Sequence, residues 1–177
     1  AAYQEYLTLY PNDPEVLAAM GTVYMNTGKK DSAFATYRQV VSKGDSMGYY
    51  TLYRVGAAIS QSVPLEPDTA SPGGACRQNA RAARPPLTAA RIKARCDSVT
   101  KAIVTEYNTS SIEAYTLSAQ ALDLSLKLNP FYREALIHRA NTALGMHDSV
   151  TALDMSRRLI AVDPMNKQSI KMMAYAQ

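Results

Sequence analysis

The chain of 177 residues has no Trp, two Phe, two His and two Cys, and only 19% of it is charged. Each scarcity removes a class of function. The two histidines, His138 and His147, stand nine residues apart and lack the four-residue spacing of a metal pair on one helix. The eight glycines never fall into GxGxxG or into a P-loop, so no phosphate-cradling loop is present. The cysteines form neither a CxxC nor a haem-attachment motif, and no GxSxG elbow occurs. Carboxylates such as Glu134 and Asp154 fall where solvated helix faces are expected. The sequence therefore offers no catalytic constellation, no metal-ligand set and no cofactor motif. No apolar run approaches the roughly 18 residues of a membrane-spanning helix. There is no initiator Met and no signal-peptide pattern; the chain opens inside an amphipathic stretch, as expected of a product of a longer protein. An apolar fraction of 47% is enough to build a core and is not that of a disordered chain.

One scarcity is local. Between residues 69 and 96 there is no acid, yet six bases occur there: Arg77, Arg81, Arg84, Arg91, Lys93 and Arg95. Of the 19 Lys and Arg in the chain, 13 lie elsewhere, against all 15 acids. The net charge of +4 is thus a slightly acidic body plus one basic segment. That segment has no interleaved aromatics to stack bases, which argues against nucleic acid. A solvated arm, an acidic partner and an anionic membrane surface remain open for it.

What is present is a period. Pro130 and Pro164 are 34 residues apart, each behind a similar amphipathic ending: Leu126, Leu128, Asn129 before the first, Ile160, Val162, Asp163 before the second. From Pro14, a helix ending at Gly28 puts Leu17, Met20, Gly21 and Tyr24 on one face, and the next puts Ala33, Tyr37, Val40 and Val41 inward. From Arg133, Leu136, Ala140 and Ala143 are followed by Ala152, Leu159 and Ile160. Gly21 and Ala33 are 12 apart, as are Ala140 and Ala152. This pattern resembles the tetratricopeptide repeat (TPR) family, in a divergent form with a Pro/Gly-rich and basic insertion. Ser156 stands where the family's aromatic and Tyr37 would match, a departure in the second repeat.

The resemblance implies an all-α, right-handed α-solenoid of antiparallel helix pairs, with about ten helices in a single domain over 1–177 and flanking half-repeats at 1–10 and 167–177. It also implies a concave groove lined by the first helices, here Glu15, Ala18, Thr22, Met25 and Asn26, then Glu134, Ile137, Asn141 and Leu144. Some members clamp a carboxylate with Lys and Asn; of the positions compared here only Asn141 matches, so a neutral protein segment suits this groove better than an anion. Met172 and Met173 on the last helix need a cover, which suggests an end that is truncated or covered by a partner.

The middle loses the period, since Pro11 and Pro130 are 119 residues apart, half a repeat off a whole number. Helices are expected at about 46–60, 75–84, 88–107 and 112–129, with a loop and short basic helix at 62–87 and breaks at Pro72–Gly74 and at Asn108–Ser111. Cys76 and Cys96 lie ten residues either side of Pro86, so a hairpin turning near 84–87 sets them face to face. A disulfide there would close a loop of 20 residues, stabilise by roughly 3 kcal/mol and place the chain in an oxidising compartment, the periplasm or cell envelope. The cluster Tyr49, Tyr50, Tyr53 reads as packing or as a binding patch. The function these features favour is a non-enzymatic scaffold or accessory subunit that docks partner proteins in a multi-subunit, extracytoplasmic or membrane-associated assembly. The alternative is the TPR portion of a larger protein whose enzymatic or lipid-anchored part lies outside this chain.

Overall fold

In this computed structural model the described residues are 2–10, 13–64, 66–165, 167, 170, 171 and 174; of 2–4, 7 and 45 the backbone alone is described. Among them the chain forms α1 (Ala2–Leu9), α2 (Pro14–Asn26), α3 (Lys30–Ser42), α4 (Tyr49–Ser62), α5 (Ala70–Arg81), α6 (Ala89–Leu128), α7 (Arg133–Gly145) and α8 (Ser149–Val162), with a short 3-10 turn at Gly44–Ser46. No strand occurs among the described residues. The last expected helix, with Met172 and Met173, lies largely outside them.

The chain divides into two compact units. One comprises Ala1–Val63 and Ala114–Gln177, the other Pro64–Glu113. The second unit therefore extends well past the expected insertion boundary at residue 87.

Local chemistry sets the helix ends. Asp13 caps α2 by accepting from the backbone N–H of Glu15 (3.0 Å) and Val16 (3.1 Å), and Pro14 fills the first position, where a missing N–H costs nothing. Asp148 caps α8 through Thr151, accepting from its N–H (3.0 Å) and its hydroxyl (2.6 Å). These bonds hold the Asp148 carboxyl below its ordinary range. At the end of α2, Gly28 takes φ +76, and the N–H of Lys29 reaches back to the Tyr24 carbonyl (2.9 Å). At the end of α7 the same role falls to His147 at φ +58, with the N–H of Asp148 on the Ala143 carbonyl (2.8 Å). A side chain in that left-handed conformation meets its own carbonyl, so repeat two carries strain that glycine spares repeat one.

The helix crossings of the two repeats differ. Tyr37 is fully buried, and a methyl group on Gly21 would strike its ring. In the second repeat the equivalent pair is Ala140 and Ser156, both fully buried. Ser156 has no ring to house, so position 140 can carry a methyl group, and the serine hydroxyl turns back to the Ala152 carbonyl (2.7 Å).

Helix α6 corrects the expected break at Asn108–Ser111. Residues 89–128 contain neither Gly nor Pro, so nothing stops the helix. Its hydroxyls satisfy themselves on preceding carbonyls: Thr105 on Lys101 (2.9 Å), Thr109 on Thr105 (3.1 Å), Ser110 on Tyr107 (3.1 Å). Two expected helices are therefore one of 40 residues, and eight helices are described rather than about ten. Helix α5 likewise starts earlier than expected, at Ala70. Pro72 sits in its first turn, where proline is tolerated, and Asp68 accepts from the Ser71 N–H (3.3 Å).

In the larger unit two buried serines of α6 tie the helices together. Ser118 donates to the Gly56 carbonyl (2.8 Å) and Ser125 to that of Tyr49 (2.8 Å). Numbers rise on α6 as they fall on α4, so the two run antiparallel. Gly56 permits the approach: a methyl there would lie 2.6 Å from Leu122 Cγ. Leu17, Tyr37, Val40, Leu52 and Ile59 fill the core on one side, and Leu122, Leu136 and Leu159 fill it on the other.

Two outcomes follow for unfolding midpoints in urea. Gly21→Ala should destabilise by about 1–2 kcal/mol, because overpacking against the buried ring outweighs the gain in helix propensity. His147→Gly should stabilise by about 0.5–1 kcal/mol by relieving the left-handed side chain.

Candidate functional site

The first helices of the helix pairs are neighbours in the larger unit: α2 packs on α4, and α4 on α7. Between α2, α3 and α4 lies a cleft of about 300 Å³ lined by Thr22, Met25, Asn26, Tyr37, Ala58, Gln61 and Ser62. Its lining is neutral. The Tyr37 hydroxyl donates to Thr22 Oγ1 (3.3 Å), which in turn donates to the Ala18 carbonyl (3.1 Å). Burial pushes the Tyr37 phenol up, with the Thr22 bond opposing, so Tyr37 stays an uncharged hydroxyl. Asn26 and Gln61 are exposed and carry free amide capacity at the rim.

An aromatic cluster lies where α4 meets α7. Tyr132 takes Tyr49 and Tyr53 edge-on, with ring centres 5.1 and 5.0 Å away. Tyr53 also contacts Tyr50 (6.0 Å) and the His138 ring (5.7 Å). Burial, with the Glu134 carboxylate second, pushes the Tyr132 phenol up to about 12 and raises that of Tyr53. Burial lowers the His138 pKa, and Glu134 partly opposes this. Its Nδ1 stands 3.5 Å from the Ser60 hydroxyl.

Of the expected groove residues, Thr22, Met25 and Asn26 line the cleft, and Glu15 is exposed at the start of α2. Ala18 is 4% exposed and belongs to the core, so it presents no surface to a ligand. Ile137 and Leu144 are half-buried against the core, Glu134 stands beside the tyrosines, and Asn141 is exposed. Tyr37, Ala58, Gln61 and Ser62 were not anticipated, nor was His138 beside Tyr53. The signal for Ala58, Gln61 and Ser62 was the spacing i, i+3, i+4 along α4, obscured because the middle of the chain had lost the repeat period.

In the smaller unit a disulfide joins Cys76 on α5 to Cys96 on α6, with Cα atoms 5.7 Å apart. Arg77, Arg81, Arg84, Arg91, Lys93 and Arg95 are all exposed. No cluster of three or more His, Cys, Asp or Glu that could hold a metal occurs among the described residues. No helix among them is long and apolar enough to cross a membrane.

No family model matches this sequence, and no curated protein matches it. Among solved structures, the crystal structure of MamA, a TPR-like protein, aligns with 99% of this chain and 82% of its own at a TM-score of 0.54 and 15% identity. The fold is all-helical and TPR-like. At that identity the likeness to MamA speaks for the arrangement of helices and for nothing chemical.

Half-buried His138 makes stability depend on pH with a definite sign. Its folded pKa lies below the ordinary 6.5, so the unfolded chain takes up the proton first. The contribution should be complete above about pH 6.5 and decline as pH falls below it. In urea melts across this range, His138→Gln should flatten that part of the profile.

Proposed function

We propose that this chain is a non-enzymatic protein-interaction scaffold or accessory subunit, a right-handed solenoid of helix pairs that docks a neutral segment of a partner along its first helices. The observation that carries the reading is the lining of the cleft. Asn26 and Gln61 each offer a donor and an acceptor, Ser62, whose own proton goes to the Ile59 carbonyl (2.7 Å), offers a hydroxyl oxygen that can accept, and Met25 offers a deformable apolar contact. That set matches the alternating N–H and C=O of an extended main chain. The groove residues Glu15, Glu134, Ile137, Asn141 and Leu144 would extend it along α2 and α7, with the exposed tyrosines Tyr49 and Tyr50 beside them. The disulfide supports an extracytoplasmic setting, since such bonds persist in oxidising compartments. The basic arm supplies a second contact in a multi-subunit assembly, toward an acidic partner or an anionic membrane surface.

Site-directed photo-crosslinking in native extract tests the docking face. A crosslinker at Gln61 should trap a specific partner, and one at the exposed Gln39 on α3 should not. Asn26→Ala with Gln61→Ala should weaken that partner's affinity on the order of thirtyfold, from two lost hydrogen bonds of about 1 kcal/mol each. Equal crosslinking from both positions, or none from either, would count against the cleft.

A further inference from the structure

The basic segment has more structure than a solvated arm requires. Two clefts lie between α5 and α6 and meet at Arg77 and Asp97. One, of about 650 Å³, reaches Thr69, Thr100 and Lys101; the other, of about 240 Å³, reaches Arg81, Lys93 and the buried Cys96. Together they make a furrow with four cations and one acid in its walls. It follows α6 from Ala89 to Val104, about 22 Å at the helical rise, which accommodates six or seven residues of extended chain at about 3.3 Å each.

The charges in this furrow are unbalanced from within. Its one acid, Asp97, is held by Lys93 Nζ at 2.6 Å. Arg77 and Arg81 have no carboxylate partner among the described residues. Elsewhere Arg133 pairs with Asp163 (2.9 Å), Arg139 with Asp123 (2.7 Å) and Arg158 with Asp154 (4.0 Å). Nor does Arg77 simply extend into water. Gly73 is buried, and a Cβ there would have both terminal guanidinium nitrogens of Arg77 at 3.8 Å and the Thr100 hydroxyl at 3.6 Å. The guanidinium is therefore laid back along α5, beside Thr100, in the space a larger residue would take. The disulfide fixes the two walls to each other.

We infer that this furrow binds an extended acidic segment of a partner protein, its carboxylates on Arg77, Arg81 and Lys101 and its main chain on the hydroxyls of Thr69 and Thr100. Guanidinium forks suit carboxylate geometry, and the walls are complementary in charge to such a segment. A membrane surface fits less well: none of the exposed large apolar side chains described falls in residues 69–96, so the arm has no wedge to set into a bilayer. The inference rests on the scaffold reading and gives the basic arm its own ligand, separate from that of the neutral cleft.

The probe is an end-blocked octapeptide of alternating Glu and Ala, titrated into the oxidised protein in about 50 mM salt, with its Gln counterpart as control. Only the Glu peptide should bind, and Arg77→Gln with Arg81→Gln should weaken it about tenfold. Arg91→Gln with Arg95→Gln removes the same charge outside the furrow and should change affinity less than about twofold. Circular dichroism checks that both variants keep the helical fold. Equal loss from the outer pair would leave only a general electrostatic field and overturn the site. So would equal binding of the Gln peptide, or tight binding to phosphatidylglycerol vesicles with no binding of the peptide. The Asn26→Ala, Gln61→Ala variant should keep full affinity for the octapeptide. Failure of the furrow with partner crosslinking at Gln61 intact would therefore overturn this inference and leave the scaffold reading standing.

Discussion

Everything in the larger unit depends on how closely its helices can approach, and glycine sets that distance at three contacts. Gly21 faces the ring of Tyr37, Gly56 faces Leu122 and the Ser118 carbonyl, and Gly145 faces the ring of Tyr115. In each case a hydrogen stands where a methyl group would displace a side chain already in contact. Dispersion falls off steeply with separation, so a shift of even half an ångström forfeits much of the packing at these contacts. The close approach at Gly56 also makes the serine bonds of α6 possible, because Ser118 can reach the Gly56 carbonyl only when the two backbones are nearly touching. The same approach orders α2, α4 and α7 as neighbours, and that row of first helices carries the cleft and the tyrosine cluster.

The two repeats differ in the bulk they place at the helix crossing. Gly21 leaves room for the buried ring of Tyr37, whereas the second repeat carries the smaller Ser156 in the ring's place and a methyl group on Ala140, both buried. The ring of Tyr37 thus demands glycine at position 21, while Ser156 places no such demand on position 140. The chain shares its arrangement of helices with MamA at 15% identity, while no family model matches it.

Much of this was legible in the sequence, and the limits were physical. The two intact repeats, Gly28 at the end of α2 and the opposed cysteines could be read because local residue chemistry and a fixed period agree there. The break expected at Asn108–Ser111 was wrong because Asn, Thr and Ser favour turns only when their side chains compete for the backbone; here Thr105, Thr109 and Ser110 bond to carbonyls within the helix. Pro72, Gly73 and Gly74 were read as a loop, although proline in a first turn and glycine against an arginine are compatible with helix. Ala18 was assigned to the groove from its repeat position, yet a short side chain at that point sinks into the core while Thr22, one turn on, reaches the cleft. Surface position depends on side-chain length as well as on register.

The two units stabilise themselves by different means, and the difference bears on function. The larger unit buries Leu, Val, Ile and Tyr side chains and pairs several of its arginines with carboxylates. The smaller unit has few buried residues, a covalent link in their place, and arginines with no carboxylate partner among the described residues. A segment stabilised by a disulfide does not need its charges for folding, so they are available for a ligand. Had α5 been fastened by ion pairs to α6, an acidic ligand would have had to compete with them, and binding would have loosened the hairpin. With Cys76 and Cys96 joined, Arg77 and Arg81 can change partners from water to carboxylate while the walls stay in place, and the entropy lost on binding is confined to the side chains and the incoming segment.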